Sequence, residues 1–388
     1  MSDIPSELHR EILLRLPAES LFRFRSVCKS WRRIIDDPPF LRSITTTNQL
    51  PFPNLLISSG TNSLYSLSLD SLIHINCDQT IDATHVKYSP WLEFPAATCN
   101  GLILILDHQY YDTWEYDEIF VILNPLTGDF HELPKLDVDL GFAGCGIGYD
   151  SASDDYIVVR LDYLKNVYRT LVYSLRLNTW KQIMDCPDFY NGNSMNENVG
   201  VFLNGAIHWK TYSSIVVLDL ATEKYHELAA PPEHEYPWFT RLDAFDGCLV
   251  VSVVSGTKRS WMMKDDRWVR LYSSVERGVI GGYTSRQMRM CPIAYSEKER
   301  RLILQQENEI VVWDIEKKFA KKITIHGLLG NRSSYQICPR SIFRFNGIVG
   351  GVKRNINEDS TRLKLSVTTT TDSPYLYESD SSSDEDLI

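Results

Sequence analysis

The chain has 388 residues, a formal net charge of −10 and 43% hydrophobic residues, enough to bury a sizeable core and too many for one small domain. The negative balance opposes general nucleic-acid binding, no run of about eighteen apolar residues is present to insert in a membrane, and Met1 to Pro5 lacks the basic start and apolar run of a secretory signal. Eight scattered cysteines without a CxxC pair argue against a zinc site and a disulfide framework, and for buried thiols in a reducing compartment, cytoplasmic or nuclear.

From Ile4 to Phe40 the sequence reads IPSELHREILLRLPAESLFRFRSVCKSWRRIIDDPPF. Leu8, Ile12, Leu13 and Leu16 recur at helical spacing, Pro17 breaks the run, and Leu21, Phe24, Val27, Trp31 and Ile34 recur three or four residues apart after it. Two or three short helices are predicted. So short a segment seldom buries enough surface to fold unaided, so a partner is expected to cover part of its apolar face. Arg23, Arg25, Lys29, Arg32 and Arg33 crowd its second half, which suits an acidic partner or, equally, an ordinary solvated helix face.

This segment resembles the F-box. The resemblance rests on Pro5, Glu7-Leu8, Glu11-Ile12-Leu13, Arg15-Leu16-Pro17, Ser20-Leu21, Arg23-Phe24-Arg25, Val27-Cys28-Lys29-Ser30-Trp31 and Asp37-Pro38, with Ile4 and Phe22 in place of the usual leucines. It implies docking on a Skp-type adaptor and, through it, on a cullin in a ubiquitin ligase. Pro5, Leu8, Ile12, Leu16, Pro17, Leu21, Val27, Cys28 and Trp31 are expected to form the adaptor-facing or supporting surface, with Leu13 and Phe24 as internal packing.

After Pro38-Pro39 the patterning turns to short β-prone runs punctuated by Asn, Asp, Gly and Pro. One phrase returns: an apolar strand, a polar turn, then a strand with an aromatic or apolar start. It reads IFVILNPLTGDFHELP from Ile119, LVYSLRLNTWKQI from Leu171, IVVLDLATEKYHEL from Ile215, WMMKDDRWVRLY from Trp261 and IVVWDIEKKFAKKI from Ile310, at a spacing of roughly 45 to 50 residues. That is the period of four-stranded propeller blades. Upstream of each copy lies a strand pair with a tight turn, as at Asp150 to Asp155, Asn204-Gly205 and Asp246-Gly247. An earlier copy from Leu55 lacks a first strand, and the run YQICPRSIFRF from Tyr335 lacks a blade. Pairing the two closes the ring and removes its free edges, giving an expectation of six blades with the first composite.

CNGLILIL, NPLTGDFHELP, GIGYDSASDDYIVV, VYSLRLNTWKQI, LNGAIHW and VLDL, in this order, resemble the F-box-associated, kelch-related interaction domain of plant F-box proteins. The expected fold class is α+β multidomain: an all-α F-box over 1–44, an all-β propeller-like domain over 45–350, and a polar, acidic, disordered tail over 351–388 that ends YESDSSSDEDLI. Thr80 to Phe94 and Arg277 to Met290 carry no family signature. Ser381 to Ser383 precede acidic residues and are either kinase sites or part of a passive solubilising tail.

An enzyme needs a constellation, and none is legible. The His-Glu pairs at 131, 226 and 234 lack a second His at metalloprotease spacing, and the first two occupy equivalent outer strands of the repeat. Gly144, Gly146 and Gly148 are better explained by close strand packing than by a phosphate loop, since no helix follows. No cofactor or metal site is expected. The long insertions, His108 to Glu118, Asp185 to Val199, Ala229 to Thr240 and Val275 to Met290, all fall in the connections that emerge on one propeller face. That face is expected to bind a target protein through Tyr110, Tyr111, Trp114, Tyr190, Tyr236, Trp238, Arg277 and Arg286. The expected function is a non-catalytic substrate receptor of a Skp-cullin-F-box ligase. An F-box scaffold acting outside the ligase, and a glycan-binding or enzymatic propeller, stay open as alternatives.

Overall fold

The computed structural model describes residues 6–37, 39–40, 43, 54–59, 63–74, 81–82, 84–86, 94–110, 116–136, 141–164, 167–187, 199–211, 214–231, 240–245, 247–253, 259–273, 290–296, 300–306, 309–317, 319–325, 333–338, 341, 343, 345, 364–365 and 367–371. The described part of the chain opens with the short helices α1 (Ser6–Leu14), α2 (Ala18–Phe24) and α3 (Lys29–Ile35). Pro17 stands at the N-cap of α2, where it has no helical N–H to supply, and its carbonyl accepts from the Leu21 N–H at 3.0 Å. Cys28 caps α3, its Sγ accepting from the Trp31 N–H at 3.4 Å.

The β domain begins with β1 (Asn54–Ser59), β2 (Ser63–Ser68), a short helix α4 (Leu69–Ile73), β3 (Ile81–Asp82) and β4 (Thr84–Val86). Successive four-stranded antiparallel sheets follow. The first is β5 (Phe94–Cys99), β6 (Leu102–Tyr110), β7 (Tyr116–Leu123) and β8 (Phe130–Glu132), and the second β9 (Gly141–Asp150), β10 (Asp155–Leu164), β11 (Val167–Ser174) and β12 (Thr179–Gln182). The third is β13 (Val201–Leu203), β14 (Ala206–Lys210), β15 (Ser214–Asp219) and β16 (Lys224–Ala229), and the fourth β17 (Thr240–Phe245), β18 (Cys248–Val253), β19 (Arg259–Lys264) and β20 (Arg267–Ser273). Strands β21 (Met290–Ser296), β22 (Arg301–Gln306), β23 (Glu309–Asp314) and β24 (Phe319–Ile325) repeat the order.

Strand β25 (Ser333–Cys338) then crosses to β1, in register from Asn54↔Cys338 to Ser59↔Ser333, and completes a sheet ordered β25-β1-β2-β4. The first strands β5, β9, β13, β17 and β21 and the closing β25 neighbour one another in a closed circuit. This is a propeller, and strands from both ends of the domain share one blade as the sequence implies. The expectation of six four-stranded blades is corrected: five sheets have four strands, whereas the β21–β24 sheet has five. Its fifth is β27 (Val367–Thr371), and the adjacent β26 (Lys364–Leu365) pairs with β3. The expectation that the chain is all tail beyond 350 is corrected by the same strands; 372–388 lie outside the described residues.

The cores lie between sheets. Ile57 and Leu67 pack with Ile303 and Ile310; Leu104 and Ile122 with Ile147 and Val158; and Ile215 and Val217 with Leu249 and Val251. A strand covered on both faces needs a continuous apolar run, which is why Leu102, Ile103, Leu104 and Ile105 are all fully buried. Each such side chain contributes about 1.5–3 kcal/mol relative to exposure. The repeated phrase also has a cause in hydrogen bonding. Asp219 Oδ1 accepts from the Thr222 N–H at 2.7 Å, Asp314 Oδ1 from the Lys317 N–H at 2.9 Å, and Asn124 Oδ1 from the Leu126 N–H at 2.9 Å, so these three third strands end in side-chain-stabilised turns. The aromatic on the fourth strand clips blades together: Trp180 Nε1 donates to the Pro134 carbonyl and Trp268 Nε1 to that of Ala229, both at 2.9 Å.

The glycines of GFAGCGIGYD serve close packing, as the absence of a following helix implies. A Cβ on Gly148 would lie 2.5 Å from Leu220 Cδ1, and one on Gly146 2.8 Å from Ile207 Cγ2. The turn at Asn204-Gly205 has φ of 50° and 79°, the left-handed pair that a two-residue hairpin requires.

Candidate adaptor and target interfaces

The helical head buries Leu13, Leu21, Ile35 and Phe40, with Leu14, Leu16, Phe24, Trp31 and Ile34 packed around them. Phe24 and Trp31 rings meet at 5.1 Å. Arg10 lies 5.4 Å over the Phe40 ring and 3.3 Å from Asp37, and both nitrogens of the Arg25 fork donate to the Asp36 carboxylate, one at 2.8 Å. These ties fix the end of α3 against α1 and α2. They also compensate part of the basic cluster. Asp36 holds Arg25 and lies 3.6 Å from Arg32, which leaves Arg23, Lys29 and Arg33 as the further exposed cations of this half.

The surface expected to meet the adaptor divides on burial. Leu8, Ile12 and Val27 are 51%, 45% and 63% exposed, and Leu8 and Ile12 stand one turn apart on α1. Leu16, Pro17 and Trp31 are half-buried. Leu21 is fully buried, which leaves it only the supporting part of that expected surface. Cys28 is exposed, and hydrogen bonds from Ser30 and from the Trp31 N–H lower its thiol pKa; the sulfur is spent as a helix cap. Pro5 lies outside the described residues. Leu13 and Phe24 pack internally, as the sequence implies.

On the propeller, the described connections of the opposite face are short. Asn100-Gly101 joins β5 to β6, Asn204-Gly205 joins β13 to β14, and Asp265-Asp266 joins β19 to β20. The side expected from sequence to bind a target is only partly described. Tyr110 ends β6 and pairs with Tyr116, so 108–110 and 116–118, the flanks of the insertion, lengthen the β6–β7 hairpin. Tyr111, Trp114, Tyr190, Tyr236, Trp238, Arg277 and Arg286 lie outside the described residues.

The structure adds residues on this side that sequence reasoning missed. Tyr163 and Val167, 43% and 41% exposed, flank the β10–β11 turn, and Tyr163 packs on Tyr168 at 4.8 Å. Their connection is short, so a search for long insertions passes over it. Below that turn the Arg160 Nε donates to Asp162 Oδ1 at 2.7 Å, both residues buried, with the guanidinium 5.7 and 5.6 Å from the Phe120 and Phe142 rings. The hidden pair stiffens the hairpin root; a charged strand residue gives no sequence signal of burial.

The described chemistry is structural. His131 is buried, its Nε2 lies 2.7 Å from the Tyr173 hydroxyl, and that hydroxyl donates to Asn178 Oδ1 at 2.7 Å, so Nε2 carries the proton. Burial lowers its pKa. His131 and His226 occupy the fourth strands of their sheets, as the repeat implies; His234 lies outside the described residues. Burial pushes the thiols of Cys186 and Cys338 up to about 12, which keeps them protonated and inert. Among the described residues no three His, Cys, Asp or Glu side chains are placed to hold a metal ion, and no helix is long and apolar enough to cross a membrane.

Comparison with known proteins agrees with this division. Residues 1–43 match the F-box domain model, and residues 60–336 match the F-box associated beta propeller domain. The Arabidopsis thaliana F-box protein CPR1 is 27% identical over 401 aligned positions, covering 91% of this chain and 92% of its own length. The F-box/kelch-repeat protein At3g23880 of the same plant is 28% identical, covering 68% of this chain and 76% of its own. Among solved structures, a chain of the nidogen/laminin complex aligns at TM-score 0.44 and 12% identity, covering 74% of this chain and 99% of that one. Helical head, propeller and matched models together place the chain in the family of plant F-box proteins with an F-box-associated β-propeller domain.

Proposed function

We propose that the protein is the substrate-recognition subunit of a Skp-cullin-F-box ubiquitin ligase, acting without catalysis of its own. The observation that carries this is the exposed apolar set Leu8, Ile12 and Val27 on a head whose other large side chains are packed. An unpaired apolar face on so small a unit is what a permanent partner would cover, and the F-box match says which class of partner. The propeller then holds the target. Tethering it near a ubiquitin-loaded enzyme raises effective concentration, and other subunits perform the transfer.

Within this reading, the target binds the face carrying the β6–β7 and β10–β11 hairpins and the long connections between blades. Exposed Tyr163 belongs to it along with the aromatics and arginines identified from sequence. The test is co-purification from plant extract with Leu8→Asp and Ile12→Asp combined. Loss of adaptor and cullin with an unchanged propeller melting transition is the expected result. Retention of the adaptor by that variant refutes the interface, whereas adaptor without cullin on the unaltered chain favours a scaffold outside the ligase.

A further inference from the structure

Segment 364–371 does something its composition does not announce. Lys364 and Leu365 pair with Asp82 and Ile81 on β3, and after a single intervening residue Val367 to Thr371 pair with Ile325 to Lys321 on β24. Strand β3 belongs to the chain between β2 and β4 of the sheet completed by β25, and β24 is the last strand of the sheet before it. Those two sheets are neighbours, sharing a core of Leu55, Ile57, Ile293 and Ile303. The segment therefore crosses from one to the other at the place where the two ends of the propeller chain meet.

We propose that the outer edge of β24 is a docking site for a short extended peptide strand, and that 364–371 is its resident, releasable occupant, clasping the closed ring. A strand edge presents unpaired N–H and C=O groups, and pairing to it gives affinity through the main chain. The occupant is one valine and four threonines, β-branched residues suited to a strand but with little apolar surface to bury. A ladder of this length barely offsets the entropy of ordering its residues, so the clasp is closed but not locked. Charge favours closure. The sequence around β24 carries lysines at 317, 318, 321 and 322, while 372–388, which continues from the clasp, carries six acidic residues and no Lys or Arg.

The test is amide hydrogen exchange on the full chain, comparing it with the Thr368→Pro, Thr369→Pro variant. Successive N–H groups of a strand point to opposite edges, so the double substitution removes a ladder bond whichever of the two faces β24. The expected result is exchange at least about tenfold faster in the variant for those 321–325 amides that face β27, with the amides facing β23 and those of β6 unchanged. A synthetic peptide of residues 361–374 in excess should restore the protection, and the same peptide bearing both prolines should not. Equal exchange in the two chains overturns docking. Failure of the peptide to restore protection overturns the site, and loss of protection in β6 as well overturns release, because the segment would then be integral to the fold.

Discussion

Asn124 offers the sharpest perturbation of the propeller. Its side chain is fully buried at the end of β7 and uses its entire hydrogen-bonding capacity: Nδ2 donates to the carbonyls of Ser341 and Phe343 at 2.9 and 2.8 Å, and Oδ1 accepts from the N–H groups of Leu126 and Thr127 at 2.9 and 3.4 Å. One amide thus forms a turn and pins the chain that leaves β25, whose Phe343 and Phe345 pack on Tyr156 at 5.0 Å and His131 at 6.0 Å. Asn124→Ala strips partners from two carbonyls at about 1–2 kcal/mol each and loosens the turn by about 1 kcal/mol, a total of roughly 3–5 kcal/mol. That is a large share of the roughly 5–15 kcal/mol of a typical domain. Asn124→Asp keeps the turn but aims a buried anionic oxygen at two carbonyls, so it destabilises more than alanine at neutral pH and less once protonated. Urea unfolding followed by tryptophan fluorescence measures both. A loss under about 1 kcal/mol for Asn124→Ala, or no pH dependence for Asn124→Asp, refutes the pinning role.

Gly200→Ala places a methyl 2.4 Å from Ile207 Cγ2 and 2.6 Å from Trp209 Cε2, and should lower stability by about 1–3 kcal/mol with a shift in tryptophan emission as the 3.1 Å Trp209 Nε1 bond to the Cys145 carbonyl is disturbed. Leu21→Ala removes a fully buried side chain from the helical head at a cost of about 2–5 kcal/mol; proteolysis should then cut within the head, which Leu8→Asp should leave intact. Burial raises the Asp243 carboxyl to about 6 despite the Arg241 guanidinium 2.9 Å away, and its Oδ2 has no hydrogen-bond partner among the described residues. The folded state therefore holds a proton that the unfolded state releases near pH 4, so stability should fall as pH rises from about 4 to about 6 and level off above. Asp243→Asn should flatten that slope in thermal melts taken across the window.

The candidate sites were legible to different depths for identifiable reasons. Leu8, Ile12 and Val27 can be picked out as apolar residues at helical spacing, but spacing alone does not separate them from Leu21, which looks the same in sequence and is fully buried. The separation depends on which side of each short helix the other two cover. On the face that carries the β6–β7 and β10–β11 hairpins, a search for long, aromatic-rich connections finds 108–118 and misses Tyr163, which is exposed near the end of the ten-residue β10. Sequence marks inserted length and is silent on projection.

Sequence by itself determined the helical head, the recurring strand-turn-strand phrase with its turn residues, and the pairing of the chain's two ends, because each is written in local spacing or in a strand left without a partner. Only tertiary structure decided the rest. Arg160 reads as a surface residue and is buried because Phe120 and Phe142 lie against its guanidinium and Asp162 neutralises it. Asn124 reads as a turn residue and is also a latch, because carbonyls more than two hundred positions later arrive beside it. Residues 367–371 read as polar tail and become a strand because β24 offers an edge. In each case the deciding partner is remote in the chain, and the free energy of an ion, an amide or an edge strand depends on what lies opposite it.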